Sequence, residues 1–307
     1  MADTAFSANM CAALACSYCG HGLLLRGDGS AQCTGCGQRY VRAATGTLDV
    51  RLQRTRVCEL SFELGAPLAI DPSLRIEPLA PNPSPQVDFT GMAVPAHVTR
   101  EFMSYFPKAR EPGSLMLDLG CGQAAHRALA ERAGFEWVGM DYDEASRATL
   151  LGDAHALPFR EQSFECVLSL AALHLFRFPW VVVNEVHRVL KPGGVFLGTV
   201  AFLEPFHDGG FFHHTHLGAL NLLQHAGFAV QRLAPSKDWT GLQAQASMAL
   251  FPRMPRPAIR AVMFPVEALH RLWWRAGRLA TRNPNATEDA RIRNTTAAFA
   301  FVAAKAA

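Results

Sequence analysis

LDLGCGQAAH, residues 117–126, is the stretch on which the fold turns. An apolar run ends on Asp118 and then bends through Gly120 and Gly122. A helical pattern, AAHRALAERAG (124–134), follows at once. Open α/β sheets pass the chain from strand to helix in this way, with backbone N–H groups turned towards a ligand. The stretch also breaks its own pattern. Where a third glycine is expected, the chain has Gln123-Ala124-Ala125. If that position needs a left-handed backbone, a methyl group there costs roughly 1 kcal/mol or more. If the glycine serves only close helix packing, alanine is nearly free.

Working outward, buried-strand patterns alternate with helical ones. LMLDL (115–119), FEWVGMD (135–141), FECVLSL (164–170) and VFLGTVAF (195–202) fit parallel strands covered on both faces. The helical patterns are AHVTREFMSYF (96–106), AAHRALAERAG, DEASRATLL (143–151) and PWVVVNEVHRVL (179–190). Alternation of this kind predicts a doubly wound α/β sheet with ligands at the carboxyl ends of its strands. Four signals follow in order, most of them near such ends, the last a helix stop before another strand. They are Asp118-Leu119-Gly120-Cys121-Gly122, then Asp141 closing its strand, then Asp153-Ala154 in GDAHALPF, then Lys191-Pro192-Gly193-Gly194. A carboxylate about twenty residues after the glycine loop is the expected holder of two ribose hydroxyls.

In this order the motifs resemble class I S-adenosylmethionine-dependent methyltransferases, in the subgroup of ubiquinone, menaquinone and other small-molecule C-, N- and O-methyltransferases. The likeness covers roughly residues 114–203 and implies a seven-stranded Rossmann-like methyltransferase sheet. A nicotinamide-type dinucleotide fold is disfavoured, because its loop wants a glycine where Ala125 stands and it predicts no L-P-F or K-P-G-G signature. By resemblance, Asp118, Gly120, Cys121 and Gly122 frame the methionine end of the cofactor. Asp141 and Tyr142 take its ribose and adenine, Asp153, Ala154 and His155 address the base, and Ser169 to His174 line the pocket. Methyl transfer needs a general base only for a poor nucleophile. His174 and, in FHDGGFFHHTHLGAL (206–220), His213 and His214 are the candidates, with His207 and His216 beside them. Any one of these is equally well a cap or a solvent-facing side chain.

Ahead of this domain, CSYCGHGLLLRGDGSAQCTGCG (16–37) carries two C-x-x-C knuckles. Cys16, Cys19, Cys33 and Cys36 fill all four positions of a tetrahedral zinc site, with no place left for water, so the Zn2+ is expected to be structural. The module resembles a zinc ribbon. Two short hairpins have too little core to fold alone, so the metal supplies the folding energy. Cys11 and His21 are less well spaced substitutes, and Cys58, Cys121 and Cys166 read as buried thiols. The expected organisation is a zinc-ribbon module over 1–60, a proline-rich linker over 61–95, and the methyltransferase domain over 96–307, with a basic helical insertion at about 244–293.

The whole chain of 307 residues carries +3, unevenly. Between Phe251 and Asn294, nine arginines face only Glu267, Glu288 and Asp289, an excess of six, so the remainder is net −3. VEALHRLWWRAGRLATR (266–282) reads as an amphipathic helix with Arg271, Arg275, Arg278 and Arg282 in one stripe. It fits a lid over the active site, a peripheral membrane contact or a contact with an acidic substrate. NTTAAFAFVAAKA (294–306) reads as the last strand. No basic leader precedes the first apolar residues and no apolar run suffices to span a bilayer, so the expected compartment is the cytoplasm. The function expected is methylation of a small-molecule or glycan-like acceptor. Two other readings stand beside it: an rRNA guanine N-methyltransferase with a zinc-binding RNA module, and a non-catalytic protein of the same fold. Against RNA stand the modest net charge and the lack of strongly basic tracts.

Overall fold

The computed structural model describes residues 6–65, 74–205, 209–281 and 287–307. Ser7 caps α1 (Ala8–Ala13), accepting from the Met10 N–H. β1 (Leu23–Leu25), β2 (Ala31–Cys33) and β3 (Arg39–Tyr40) then form a three-stranded antiparallel sheet in that order. β4 (Leu48–Asp49) leaves this small sheet for a larger one. After a long irregular stretch come α2 (Arg100–Met103), β5 (Leu115–Leu119), α3 (Arg127–Arg132), β6 (Glu136–Asp141) and β7 (Leu150–Leu151). β8 (Phe164–Ser169), α4 (Pro179–Val189), β9 (Leu190–Ala201), α5 (His216–His225) and β10 (Phe228–Pro235) follow. α6 (Gly241–Gln245), a π-helical turn, α7 (Arg256–Thr281), α8 (Glu288–Thr295) and β11 (Ala298–Lys305) complete the chain.

The large sheet runs β10-β11-β9-β8-β5-β6-β7-β4. Neighbours are parallel from β9 to β4, and β11 lies antiparallel between β9 and β10. The order reverses at β5, which has β6 on one side and β8 on the other, so the crevice opens at the carboxyl ends of β5 and β8. Alternating side chains separate two cores. Leu115, Leu117, Leu119, Val138 and Met140 pack on one face with α4, α5 and the N-terminal module. Met116, Cys166, Leu168, Leu197 and Val302 pack on the other with Phe102, Phe106 and Phe89.

The sheet has eight strands where seven are expected. The extra one is β4: Leu48 and Asp49 pair with Leu150 and Leu151, and the Val50 N–H donates to the Leu151 carbonyl at 2.8 Å. A two-residue edge strand would otherwise leave its ladder groups open, and the N-terminal module closes them. Cys16, Cys33, Tyr40, Leu48 and Val50 also belong to the first core.

Several local expectations differ from the structure. Residues 143–151 are not helical, because their donors go elsewhere. Ala145 N–H donates to the Asp143 carboxylate, Arg147 N–H to the Gly122 carbonyl and Thr149 N–H to the Gly139 carbonyl. The helix expected over 96–106 shortens to one turn. The Ser104 hydroxyl donates to the Glu101 carbonyl at 2.6 Å and accepts from the Asn82 N–H. Lys191-Pro192-Gly193-Gly194 does not separate helix from strand. It bulges within β9, since Leu190 pairs with Phe164 and Val195 with Cys166. Cys58 is exposed rather than buried, in a stretch without regular structure.

The proline-rich stretch drapes over the domain where it is described. Phe89 is buried, stacking edge-on against Phe106, and the Tyr105 hydroxyl donates to the Ala80 carbonyl. Pro67 and Pro72 lie outside the described residues, as do His207 and Arg282. The excursion between β10 and β11 covers 236–297, wider than the 244–293 expected.

Candidate functional site

The glycine loop is built by backbone hydrogen bonds to β6. Gly120 N–H and Cys121 N–H converge on the Met140 carbonyl, at 2.9 and 3.3 Å. Gly122 N–H donates to Asp141 Oδ2 at 2.8 Å, and the other carboxylate oxygen accepts from Asp143 N–H at 3.0 Å. Asp141 therefore pins the loop after β5 to the turn after β6. Gly120 has φ +75°, and a Cβ there would come within 2.6 Å of the Ala172 methyl. That methyl belongs to the turn after β8, so the bare glycine lets two strand ends approach closely.

Ala124 settles the question of the missing third glycine. Its φ is +59°, in the left-handed region that favours glycine. Its N–H donates to the Cys121 carbonyl at 2.9 Å, closing a tight turn ahead of α3. The position does require glycine-like backbone, and the chain adopts it with a methyl group present.

Asp118 is buried at the end of β5. Trp137 Nε1–H donates to its Oδ2 at 3.2 Å, and His126 Nδ1 lies 3.7 Å away. His126 donates through Nε2 to the Ala96 carbonyl at 3.0 Å. Burial alone would favour the neutral ring, but Asp118 outweighs it and raises the His126 pKa. Neither partner is foreseen from sequence. His126 closes the quoted loop, and Trp137 lies on the next strand, so only their shared neighbour Asp118 connects them. Cys121 is buried, and burial together with the charges of Asp118 and Asp141 pushes its thiol far up. It is an inert packing group.

The turn after β7 holds Asp153 and Ala154. Asp153 Oδ1 accepts from the His155 N–H at 2.9 Å and from His155 Nδ1 at 2.7 Å. His155 Nε2 accepts from the Phe178 N–H, which fixes the ring proton on Nδ1. Burial opposes ionisation of Asp153, yet the His155 hydrogen bonds prevail and hold its pKa below the ordinary value. Ser169 ends β8, and its hydroxyl is buried with no hydrogen-bond partner among the described residues.

Arg51 reaches this site from the N-terminal module, which the sequence did not foresee. Its guanidinium pairs with Asp49 and Glu144 at 2.6 Å each and donates to the Tyr142 carbonyl at 3.1 Å. It also lies over the exposed Tyr142 ring, 5.3 Å from the centroid. Its neighbours are occupied within the chain too, with Arg42 on the Gly46 carbonyl, Arg54 over Tyr18 and Arg56 on the Ser17 carbonyl.

The four knuckle cysteines converge, their sulfurs all within 4.8 Å of one another. Cys16 and Cys36 are 3.7 Å apart, and Cys19 and Cys33 are 3.3 Å apart. A zinc–thiolate tetrahedron with bonds of about 2.3 Å has edges of about 3.8 Å. Gly35 and Cys36 N–H groups donate to the Cys33 sulfur. Gly20 and Gly37 follow the knuckles at φ +74° and +75°. Cys11 and His21 stand outside the cluster.

A cavity of about 1050 Å³ borders the carboxyl end of β9. It is lined by Phe202, Leu203, His213, Lys237, Phe264 and Glu267 among others, so α7 forms one wall. β9 neighbours β8, with Gly198 opposite Ser169. Of the candidate bases, His213 borders the cavity, while His174 and His214 are buried. The Phe211 and Phe212 N–H groups donate to the His174 carbonyl, and the His214 N–H donates to the Ala201 carbonyl. His216 opens α5, whose N-cap is Thr215.

Two outcomes are expected. Ala124→Gly relieves the left-handed strain, about 1–2 kcal/mol, and loses about 0.4–1 kcal/mol through a freer unfolded chain. Denaturant unfolding should show the variant about 0.5–1 kcal/mol more stable. His214 is the second case: burial, with the nearby His213 charge, pushes its pKa down from 6.5 to about 4. The folded state then binds fewer protons than the unfolded one between those values, so stability is full above pH 6.5 and falls as pH drops towards 4. The loss is about 3 kcal/mol. His214→Gln should flatten that part of the pH–stability curve.

Residues 117–198 match the family described as a methyltransferase domain. A probable phthiotriol/phenolphthiotriol dimycocerosates methyltransferase of Mycobacterium ulcerans is 38% identical over 86 residues, 27% of this chain and 33% of that one. A fatty-acid O-methyltransferase of Mycolicibacterium smegmatis is 31% identical over 103 residues, 29% and 38% of the two chains. The mitochondrial arginine-hydroxylase NDUFAF5 of Danio rerio is 32% identical over 148 residues, 37% and 44%. The chain thus spans between a third and a half of the length of these relatives. Solved methyltransferase structures resemble it distantly, at 16–20% identity with TM-scores of 0.39–0.46. Residues 117–198, with their glycine loop at the switch point of a parallel sheet, thus match a methyltransferase domain.

Proposed function

We propose that the chain binds S-adenosylmethionine across the ends of β5, β6, β7 and β8 and methylates a small molecule with a substantial apolar part. The observation that carries this reading is the adjacency of two features. The loop clamped by Asp141 meets the crevice, and the apolar-walled cavity opens beside the neighbouring strand β9. Each Asp141 oxygen accepts one backbone N–H, and a carboxylate oxygen has a second lone pair for a ribose hydroxyl. Tyr142 offers an exposed ring for the adenine. Asp153 Oδ2 and the Ala154 backbone address the base edge. Asp118, Gly120, Cys121 and Gly122 shape the methionine end, and the unpartnered Ser169 hydroxyl faces no competing protein group. These features suit the cofactor.

When bound, the cofactor supplies a methyl group on a positively charged sulfur, which leaves as a neutral thioether. The chain's task is to place the acceptor in line and keep water out. His213, at the cavity wall, is the group placed to take a proton from a hydroxyl acceptor. His174 and His214 hold its loop against β8 and β9. Phe202, Leu203 and Phe264 favour an acceptor with a hydrocarbon portion, in keeping with relatives named for fatty acid and dimycocerosate methylation. A glycan alone would leave those walls unmatched. The ribbon arginines contact their own chain, which favours a small acceptor over RNA.

We also propose that Cys16, Cys19, Cys33 and Cys36 hold one structural Zn2+. Its role is to fix the module that supplies β4 and Arg51 to the cofactor side.

Calorimetric titration with S-adenosylmethionine tests the cofactor site. Asp141→Asn should weaken binding about a hundredfold, since charge-assisted hydrogen bonds contribute about 1.5–3 kcal/mol each. Asp153→Asn, losing one contact, should cost about tenfold. Equal and small losses would overturn the assignment. Labelled methyl transfer into a lipid extract, followed by fractionation, tests the acceptor class; label confined to polar fractions would refute it. For the zinc, elemental analysis should give one metal per chain. Cys33→Ser should lose it and unfold at lower denaturant, because the metal's binding energy is folding energy.

A further inference from the structure

α7 is amphipathic in an unusual sense, because its apolar side is the one that faces away from the protein. Its inward stripe is Ile259, Met263, Glu267, His270 and Trp274, at helical spacing, and only Ile259 is fully buried. Val262, Val266, Leu269, Trp273, Ala276 and Ala280 form a second stripe at spacings of 4, 3, 4, 3 and 4, with Leu272 and Leu279 beside it. This stripe is open. Leu269 is 67% exposed, Leu272 65%, Trp273 75% and Leu279 75%. Exposed Arg275 and Arg278 lie beyond Leu272 and Leu279 on one side of it, while Arg271 pairs with Glu267 at 3.5 Å and, with Arg260, borders the cavity. The one acid of the helix, Glu267, is turned inward, accepting from the Thr240 hydroxyl at 2.7 Å and Gln243 Nε2 at 3.0 Å.

We infer that α7 lies flat on a lipid bilayer surface carrying anionic headgroups, with its Leu–Trp stripe in the acyl boundary and its arginines at the phosphates. The charge pattern selects this occupant. Two copies packed through the stripe would bring Arg275 and Arg278 of each copy close, while Glu267, the one acid of the helix, is committed to Thr240, Gln243 and Arg271. An anionic headgroup layer complements Arg275 and Arg278, and each basic residue near such a surface contributes about fivefold in affinity. The helix of 26 residues is about 39 Å long. No described helix is long and apolar enough to cross a membrane, so α7 rests in the interface rather than spanning it. The inner edge of α7 lines the 1050 Å³ cavity. Docking therefore sets the cavity beside the bilayer, which extends the proposed apolar acceptor to one drawn from it; the docking itself stands without that reading.

The test is co-sedimentation of the full chain, without cofactor, with phosphatidylglycerol–phosphatidylcholine vesicles and with pure phosphatidylcholine vesicles. The chain should pellet with the anionic vesicles and stay largely in solution with the neutral ones, and binding should fall as salt rises. Leu269→Glu with Trp273→Glu should reduce partitioning at least about tenfold. Arg275→Gln with Arg278→Gln should reduce it roughly 25-fold. All four side chains are exposed, so far-ultraviolet circular dichroism should be unchanged in both variants. No pelleting with anionic vesicles would overturn the inference, as would pelleting that survives both pairs. Light scattering provides the remaining outcome. If the wild type is a dimer that ignores vesicles and Leu269→Glu with Trp273→Glu makes it monomeric, the stripe is an interface between copies and the membrane assignment is wrong.

Discussion

The hydrogen bond from Gly122 N–H to the Asp141 carboxylate is the contact on which the rest of the site depends. A parallel pair such as β5 and β6 leaves its carboxyl ends open, with nothing in the ladder to fix the loops beyond. One carboxylate solves this by accepting from both loops at once. Gly120, Cys121 and Gly122 are thereby tied to β6 by the chain itself, and Ala124 is carried into a left-handed turn that alanine avoids by itself. The strain is tolerable because the surrounding bonds over-determine the turn.

The N-terminal module is part of this construction rather than an appendage. β4 seals the edge of the large sheet, and Arg51 holds the turn of Tyr142 and Glu144 from outside. A four-cysteine cluster more than a hundred residues before Tyr142 therefore helps determine where that ring stands. Arg42, Arg51, Arg54 and Arg56 tie the module to itself and to the domain.

The proposed acceptor side follows a different logic. Its residues come from the histidine loop after β9 and from the long excursion between β10 and β11, where the sheet imposes little. The loop is secured by backbone bonds to the His174 and Ala201 carbonyls, so the buried His174 and His214 act as supports and His213 remains at the wall. α7 is seated through Ile259 and the Glu267 contacts, which leaves its apolar stripe outward. The proposed acceptor wall and the proposed membrane face thereby fall on one helix, away from the glycine loop.

The sequence by itself determined the strand-loop-helix order, the glycine loop, Asp141, Asp153 and the four cysteines as neighbours. These are local signals: period-two and period-3.6 burial, obligatory turn residues and ligand spacing act over a few residues and leave their mark in the chain. The sequence left open the backbone of Ala124, the partners of Asp118, the reach of Arg51, the eighth strand and the absent helix at 143–151. Each of these was decided by groups far apart in the chain. The donors of 143–151 go to Gly122 and Gly139 because the sheet brings those carbonyls near, and no propensity within the segment records that. Amphipathicity marked α7 as a helix, but which face turned inward was fixed only when Glu267 met Thr240 and Gln243, since a helical pattern specifies a stripe and not what lies against it.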